Sequence, residues 1–425
     1  MVRQYKDSGF EWIGKIPETW EVDIAKHVFR QRRDKGNEEC QLLAATQKYG
    51  MYPQHLLEGV VKVAADTDLS QFKTVHRNDY VISLRSFQGG FEMSDYEGVC
   101  SPAYQVFFAT RQICNQYYKY LFKSDAFIQE INSLTVGIRE GKNILYDDFA
   151  LLPIPIPTVY DQQRIAEYLD EKCGEIDALT ALQEQMIAQL TDYKQSVITE
   201  SVTKGLNSDA ELVPSGIDWI GDVPKGWKVC RIKDIFRLRT GTTPKDFEQG
   251  LSSDPLVNWF TPSDVAEMNC ELSSSERHLS QEVIKKERIE LSPAGSLIFV
   301  GIGASAGKIG YATVEGYSNQ QITMLIPKQN KCFGKYSYFY MIADRKRIRD
   351  NAFFTTLPII NNTYLSGIKT LLPPVDEQRA IVEYLDTKCG EIDRLIGTKR
   401  QKIETLKEYK KSVIYEAVTG KTDVI

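Results

Sequence analysis

DQQRIAEYLDEKCGEIDALTALQEQMIAQLTDYKQSVITESVTKG, residues 161–205, returns 216 positions later as EQRAIVEYLDTKCGEIDRLIGTKRQKIETLKEYKKSVIYEAVTGK, residues 377–421, with no gap and about half its letters unchanged. An internal repeat on so long a period is not that of a solenoid. In the first copy Ile165, Leu169, Cys173, Ile176, Leu179, Leu182, Met186, Leu190, Tyr193 and Val197 advance by threes and fours, which predicts one apolar stripe along a helix. At 1.5 Å per residue such a helix is about 60 Å long and cannot bury the stripe against itself. The second copy supplies the partner, so the reading is two long helices packed as a coiled coil within one chain. Its predicted seam is Ile165, Leu169, Ile176, Leu179, Leu190 and Val197 against Ile381, Leu385, Ile392, Leu395, Leu406 and Val413. Gly205 and Gly420 mark the helix ends.

A shorter repeat lies upstream of each helix. DSGFEWIGKIPETWEV, Asp7 to Val22, returns 207 positions later as PSGIDWIGDVPKGWKV, Pro214 to Val229. Trp12, Gly14, Pro17 and Trp20 match Trp219, Gly221, Pro224 and Trp227; turn residues between large apolar anchors predict a docking strap rather than a free strand or helix. It either packs the start of each domain or offers a partner surface. The chain divides into a strap (1–22), a head (23–156), a helix (157–206), a second strap (207–229), a second head (230–372), and a second helix with its tail (373–425). Matched ends around unmatched middles suggest one scaffold holding two different heads.

Both heads read as α+β. The first combines strand-like runs at residues 80–85 and 105–109 with a helix-like stretch at 115–132, and ends in LLPIPIP, whose prolines predict an extended connector. Thr158 and Asp161 then resemble a capping box. The second repeats the plan with SLIFVGIG, QITMLIPK and a helix-like KYSYFYMIADRKRIRDN.

At 42% hydrophobic and 26% charged residues the composition is that of a soluble globular protein with room for two or three domains. Without a signal-peptide core or an apolar run long enough for a membrane span, the expectation is a cytoplasmic protein. The eight cysteines are scattered and contain no CxxC, which predicts reduced buried thiols. The net charge of −5 hides an uneven distribution: residues 157–206 carry 4 basic and 9 acidic side chains, and residues 230–372 carry 18 basic and 14 acidic. The acidity belongs to a helix and the basicity to a head.

No catalytic constellation is visible. Gly301 to Lys308 resembles a phosphate loop, but Ile302 stands where glycine is needed and Ile309 where Ser or Thr is needed. His27, His55, His76 and His278 show no metal-ligand spacing, and neither G-x-S-x-G, H-E-x-x-H nor Asn-Pro-Pro-Tyr occurs. No catalytic residue, metal site or bound cofactor is predicted, which points to binding. Candidate DNA contacts in the first head are Gln47, Lys48, Tyr49, Arg85, Ser86, Gln88, Tyr104, Gln105, Arg139 and Lys142; in the second they are Arg239, Thr240, Thr242, Ser305, Lys308, Asn319, Gln320 and Gln321. Arg and Lys can pair with guanine O6 and N7, and Asn and Gln with adenine N6 and N7; each can equally be a turn residue or phosphate contact.

Straps reading SGxxWIGxxPxxW, helices reading EQRAIVEYLDTKCGEID and ending SVIYEAVTGK, and the twice-used order of strap, head and helix resemble the DNA-specificity subunit of type I restriction-modification enzymes. The resemblance implies two target recognition domains, each reading half of a split double-stranded DNA site in the major groove. It implies that the helices pack antiparallel as a spacer and as a platform for two methyltransferase subunits. Those would bring S-adenosylmethionine and flip an adenine for methylation. Separate restriction and translocase subunits would use ATP and Mg²⁺. A pseudo-twofold chain with unlike heads can read a site that is not a palindrome. Two rival readings are a self-contained DNA-modifying enzyme, which would methylate DNA alone with S-adenosylmethionine, and a coiled-coil interaction scaffold, which would show no salt-dependent duplex binding. Gly397, Thr398 and Lys402 interrupt the second apolar stripe; they form either a polar waist or a close approach or partner seat around Gly397.

Overall fold

A computed structural model of the chain describes residues 4–36, 40–58, 69–83, 90–134, 144–245, 257–267, 270–328, 331–350, 353–354 and 358–424. Two compact units are present, Met1–Glu184 with Arg400–Ile425, and Gln185–Lys399. The division passes through both long helices, Val159–Lys204 and Val375–Val418. Each unit therefore holds the start of one helix and the end of the other.

In the first unit four antiparallel strands lie in the order Phe29–Arg32, Gln105–Ala109, Tyr80–Ile82, Phe91–Met93. In the second unit the order is Phe236–Thr240, Ile322–Pro327, Leu297–Val300, Ile309–Ala312, with Glu271–Leu272 added in parallel at the far edge. Strands in matching chain positions occupy matching places, although the letters differ. The inner strands Tyr80–Ile82 and Leu297–Val300 are buried at every position because both faces are covered. Leu297 and Phe299 enter one core while Ile298 and Val300 enter another, as a period of two requires. Tyr80 and Ile82 likewise face away from Val81.

The helix predicted over 115–132 is two helices, Asn115–Lys123 and Asp125–Leu134. Ser124 breaks them by adopting extended backbone and bonding the Leu121 carbonyl at 2.8 Å. The matching stretch in the second unit divides at Asp344 into Gly334–Ala343 and Arg345–Asp350. The proline connector is itself a strand, Pro153–Ile156, paired with Glu21–Ile24; in a two-stranded sheet its prolines cost no ladder on the outer side. Lys228–Arg231 pairs with Lys369–Leu372 in the same way. Each strap also closes a small hairpin, Tyr5–Asp7 with Lys15–Pro17 and Leu212–Pro214 with Asp222–Pro224.

Three repeated contacts seat each head on its helices, and a fourth joins helix to helix within each unit. Trp20 Nε1 donates to Asp161 at 2.9 Å, and Trp227 Nε1 to Glu377 at 3.0 Å. Gln162 accepts from the Cys114 N–H and donates to the Pro157 carbonyl; Gln378 accepts from Phe333 and donates to Pro373. The Tyr117 hydroxyl donates to the Val418 carbonyl at 2.7 Å, and Tyr336 to Val202 at 3.1 Å. Lys410 pairs with Asp177 in the first unit and Lys194 with Asp393 in the second. Thr158 caps the first long helix by accepting from the Asp161 N–H at 3.1 Å.

Gly205 and Gly420 both have φ +73, and both give room to a strap. A Cβ on Gly420 would lie 2.5 Å from Pro17 and 2.9 Å from Trp20; on Gly205 it would lie 3.2 Å from Trp227 and 3.8 Å from Pro224. The helix ends are left-handed caps that also admit a tryptophan.

Within the first unit Ile165, Leu169 and Cys173 share a core with Val413, Ala417 and Val418. Within the second, Val197, Ile198 and Val202 share one with Ile381, Val382, Leu385 and Cys389. The start of one helix thus meets the end of the other, and each large aliphatic side chain buried there contributes about 1.5–3 kcal/mol. Ile176 and Ile392 are also buried, and Leu190 and Leu406 are half-buried.

The predicted seam needs correction at mid-helix. Leu179 is 44% exposed and Leu395 is 52% exposed, with Leu182, Met186 and Tyr193 also outward. The shielded row runs 176, 180, 183, 187, 190, 194, 197 and returns as 392, 396, 399, 403, 406, 410, 413. Alternating steps of four and three keep these positions on one face of each helix, so Thr180 and Gln183 take places that hydrophobicity alone assigned to leucines. No atom lies within 4 Å of where a Gly397 Cβ would stand, so a close approach there is ruled out among the described residues. The eight cysteines are free thiols; burial pushes Cys389 up to about 11 and raises Cys173 as well.

Candidate nucleic-acid interface

Antiparallel neighbours put the end of one strand beside the start of the next, so Thr240, Ile322, Val300 and Ile309 lie at one end of the second-unit sheet. The segments 241–245, 301–308 and 318–321 meet there. Gly241 N–H donates to the Ile322 carbonyl at 2.9 Å, Thr242 N–H to Ser318 at 2.8 Å, and Gly301 N–H to Gln321 at 2.8 Å. Any side chain on Gly241 would collide with the Ser318 and Asn319 carbonyls.

Gly303 and Gly307 turn the 301–308 segment at φ +99 and +86. Its N–H groups at Gly303, Ala306, Gly307 and Lys308 donate to the carbonyls of Pro358, Gly303, Val300 and Ser305. With those donors spent, its backbone does not form the anion nest of a phosphate loop.

The same end of the first-unit sheet gathers Arg32, Gln105, Ile82 and Phe91. Gln31 Nε2 donates to Gln105 at 2.7 Å, and Arg33 Nε donates to Gln31 at 3.0 Å. Arg32 holds buried Asp79 through two hydrogen bonds and lies 4.4 Å from the Phe108 ring centroid. Lys73 donates to the Tyr104 carbonyl at 2.5 Å, and burial lowers the Lys73 pKa. The hairpin Leu43–Thr46 and Gly50–Pro53 presents Lys48 over the Tyr49 ring at 4.8 Å, with Tyr52 and Tyr96 continuing the aromatic row.

A family described as the type I restriction modification DNA specificity domain matches residues 17–192 and again 224–407, most of the chain. This chain belongs to that family. The type I restriction enzyme MjaVIII specificity subunit of Methanocaldococcus jannaschii is 23% identical over 449 residues, covering 99% of this chain and 97% of its own. The EcoKI specificity subunit of Escherichia coli is 24% identical over 310 residues, covering 70% of this chain and 63% of its own. The fold is shared with a chain from a study of complex assembly and conformational transition of the type I R-M system: TM-score 0.74, 16% identity, 96% of this chain and 99% of that one. The HsdS subunit from Thermoanaerobacter tengcongensis follows at TM-score 0.53 and 15% identity, over 96% and 98% of the two chains. The protein is thus a DNA-binding specificity subunit of a restriction-modification system.

In this specificity subunit the predicted contacts fall into three groups. Lys48, Tyr49, Thr242 and Gln320 are exposed, Gln320 accepting from the Thr243 hydroxyl, and Ser305 and Tyr104 are half-buried. Others are committed elsewhere. Asn319 is buried and exchanges hydrogen bonds with Gln321, which makes both turn residues. Arg239 is held by Glu290 at 2.7 Å and by Ser292, Thr240 accepts from Asn362 at 2.8 Å, Gln105 accepts from Gln31, and Lys308 stands 3.6 Å from Glu267. Reading a base with Arg239 requires exchanging the Glu290 partner. Arg85, Ser86, Gln88, Arg139 and Lys142 lie outside the described residues.

Two features escaped the sequence reading. The basic run Arg345–Arg349 borders the 301–308 segment, where Arg345 binds Glu267 and, with its guanidinium, holds that carboxyl below its ordinary range. The strap repeat also extends further than Val22 and Val229. Lys26, Phe29, Arg30 and Arg32 return 207 positions later as Lys233, Phe236, Arg237 and Arg239, a signal available in the letters once the offset is carried forward. Among the described residues no helix is long and apolar enough to cross a membrane, and no group of three or more His, Cys, Asp or Glu could hold a metal ion.

Proposed function

We propose that residues 23–156 and 230–372 are target recognition domains, each reading one half of a bipartite duplex site, and that the chain itself makes no bonds in DNA. The supporting observation is the contrast between repeated seats and unlike loops: tryptophan, glutamine and tyrosine contacts recur position for position, while the segments at the sheet ends differ. Such a division suits a fixed frame carrying two independent readers. The 3.5-residue spacing of the shielded row supports an antiparallel coiled coil with pseudo-twofold symmetry, whose length sets the unspecified gap.

The outward Leu179 recurs as Leu395, and the outward Tyr193 as Tyr409, both at the repeat offset. In this reading they dock two copies of a methyltransferase subunit, which supplies S-adenosylmethionine. Restriction and translocase subunits with ATP and Mg²⁺ complete a cytoplasmic complex. Mapping methylated adenines in cells with and without the chain tests the proposal. Exchanging residues 241–245 and 318–321 together is expected to alter one half-site and leave the other half and the gap unchanged; altered letters in both halves would defeat the separation of readers.

A further inference from the structure

Each head carries a basic groove beside the outer edge strand of its sheet. In the first unit it encloses about 390 Å³, lined by Lys26, Phe29, Arg30, Arg33 and Tyr146, with Asp147 as its one carboxylate. In the second it encloses about 620 Å³, lined by Lys233, Phe236, Arg237 and Lys328. Lys26, Phe29 and Arg30 correspond to Lys233, Phe236 and Arg237 at the strap offset, although the rest of the heads has diverged. The phenylalanines are buried floors, and all four matched cations are exposed. Among the described residues Lys26, Arg30 and Lys233 form no ion pair, and Arg237 reaches only Glu290, at 3.6 Å.

An exposed edge strand is commonly guarded by charge, but either sign serves that purpose. Here both copies keep cations at the same places. A feature shared by heads that differ in their reading loops serves what the two half-sites have in common. The grooves carry exposed Lys and Arg, three of the four matched cations without an ion pair among the described residues, and no exposed aromatic centre; interface cores between proteins are depleted of charge, whereas phosphate oxygens are gripped by such side chains.

We propose that Lys26 with Arg30, and Lys233 with Arg237, form a matched pair of DNA backbone phosphate sites, one for each half-site, that hold the duplex without reading its sequence. This rests on the half-site reading above.

The test uses the complete complex with its methyltransferase subunits and two duplexes, one carrying the site found by methylation mapping and one with both half-sites scrambled. Affinity is measured across a salt series for K26Q/R30Q, for K233Q/R237Q and for the combined variant. If each cation meets one phosphate, either pair lowers the salt slope by about 1.8 and weakens binding about thirtyfold at roughly 0.15 M salt; the combined variant lowers the slope by about 3.6. Both duplexes are expected to lose equally, so the ratio between them stays fixed. An unchanged slope, a loss confined to the specific duplex, or failure to recruit the methyltransferase subunits at unchanged slope would each overturn the proposal, the last by assigning the grooves to a protein partner. A native complex that bound both duplexes alike would remove the half-site reading, and the slope would still decide the grooves. Unchanged thermal transitions of the variants confirm that folding is intact.

Discussion

The two heads share a strand order and almost no letters, whereas the two helices share both letters and the positions they shield. Head one is built around Phe29, ringed by Tyr80, Phe107, Tyr118, Phe122 and Phe149; head two uses Leu297, Phe299 and Leu325 with a tyrosine-rich helix. Cores tolerate such replacement when pattern and volume are kept. The seats do not drift, because a buried tryptophan N–H or glutamine amide requires a particular acceptor or donor. Apolar contacts maintain a plan, and buried polar contacts maintain a position.

The largest expected effect comes from shortening both long helices by two heptads, one on each side of the mid-helix and at matched positions. The gap between half-sites in the methylation map is expected to shrink while the letters of both halves persist. Altered letters with an unchanged gap would break the distinction between frame and readers.

Replacing Gln162 or Gln378 by Leu leaves a backbone donor and a carbonyl without their partner in each unit. The expected cost is about 2–4 kcal/mol for either, read from denaturant unfolding. Unequal costs would show that the two seats are not equivalent.

The ion pairs sharpen the comparison by differing. Lys194 is 3% exposed beside Asp393, whereas Lys410 is 29% exposed beside Asp177. Lys194→Met is expected to destabilise by about 1–2 kcal/mol, since the remaining Asp393 can still reach water. Lys410→Met is expected to cost less than about 1 kcal/mol.

The smallest effect concerns the matched thiols. With its pKa at about 11 against an ordinary 9.0, Cys389 is protonated in the folded chain until the pH approaches that value. Alkylation at pH 8 is expected to run about a hundredfold slower than in the unfolded chain, with denaturant restoring the difference. The raised value means that ionisation weakens folding, so this thiol contributes stability at neutral pH and loses it as pH climbs through the folded value.

Much of the frame was legible in the letters. Repeats need no tertiary knowledge, and the strand-like runs at 105–109 and 321–328 correspond to strands Gln105–Ala109 and Ile322–Pro327. The helix break at Ser124 was hidden because serine is tolerated within helices and breaks them only when its hydroxyl finds a local carbonyl. The candidate contacts were harder. Asn319 and Gln320 are adjacent and chemically alike, yet one is buried in a turn and the other is exposed. Arg239 reads as a free guanidinium until Glu290, 51 residues away, is placed beside it.

By itself the sequence determined that this protein is a doubled chain with repeated straps and helices around unlike heads, because identity at fixed offsets and apolar spacing are properties of the letters. Only the tertiary structure decided which helix positions are shielded, which polar side chains are already committed, and that the unlike heads share one strand order. Those outcomes depend on what stands opposite each residue, and opposition across a fold is set by packing and by the pairing of buried polar groups.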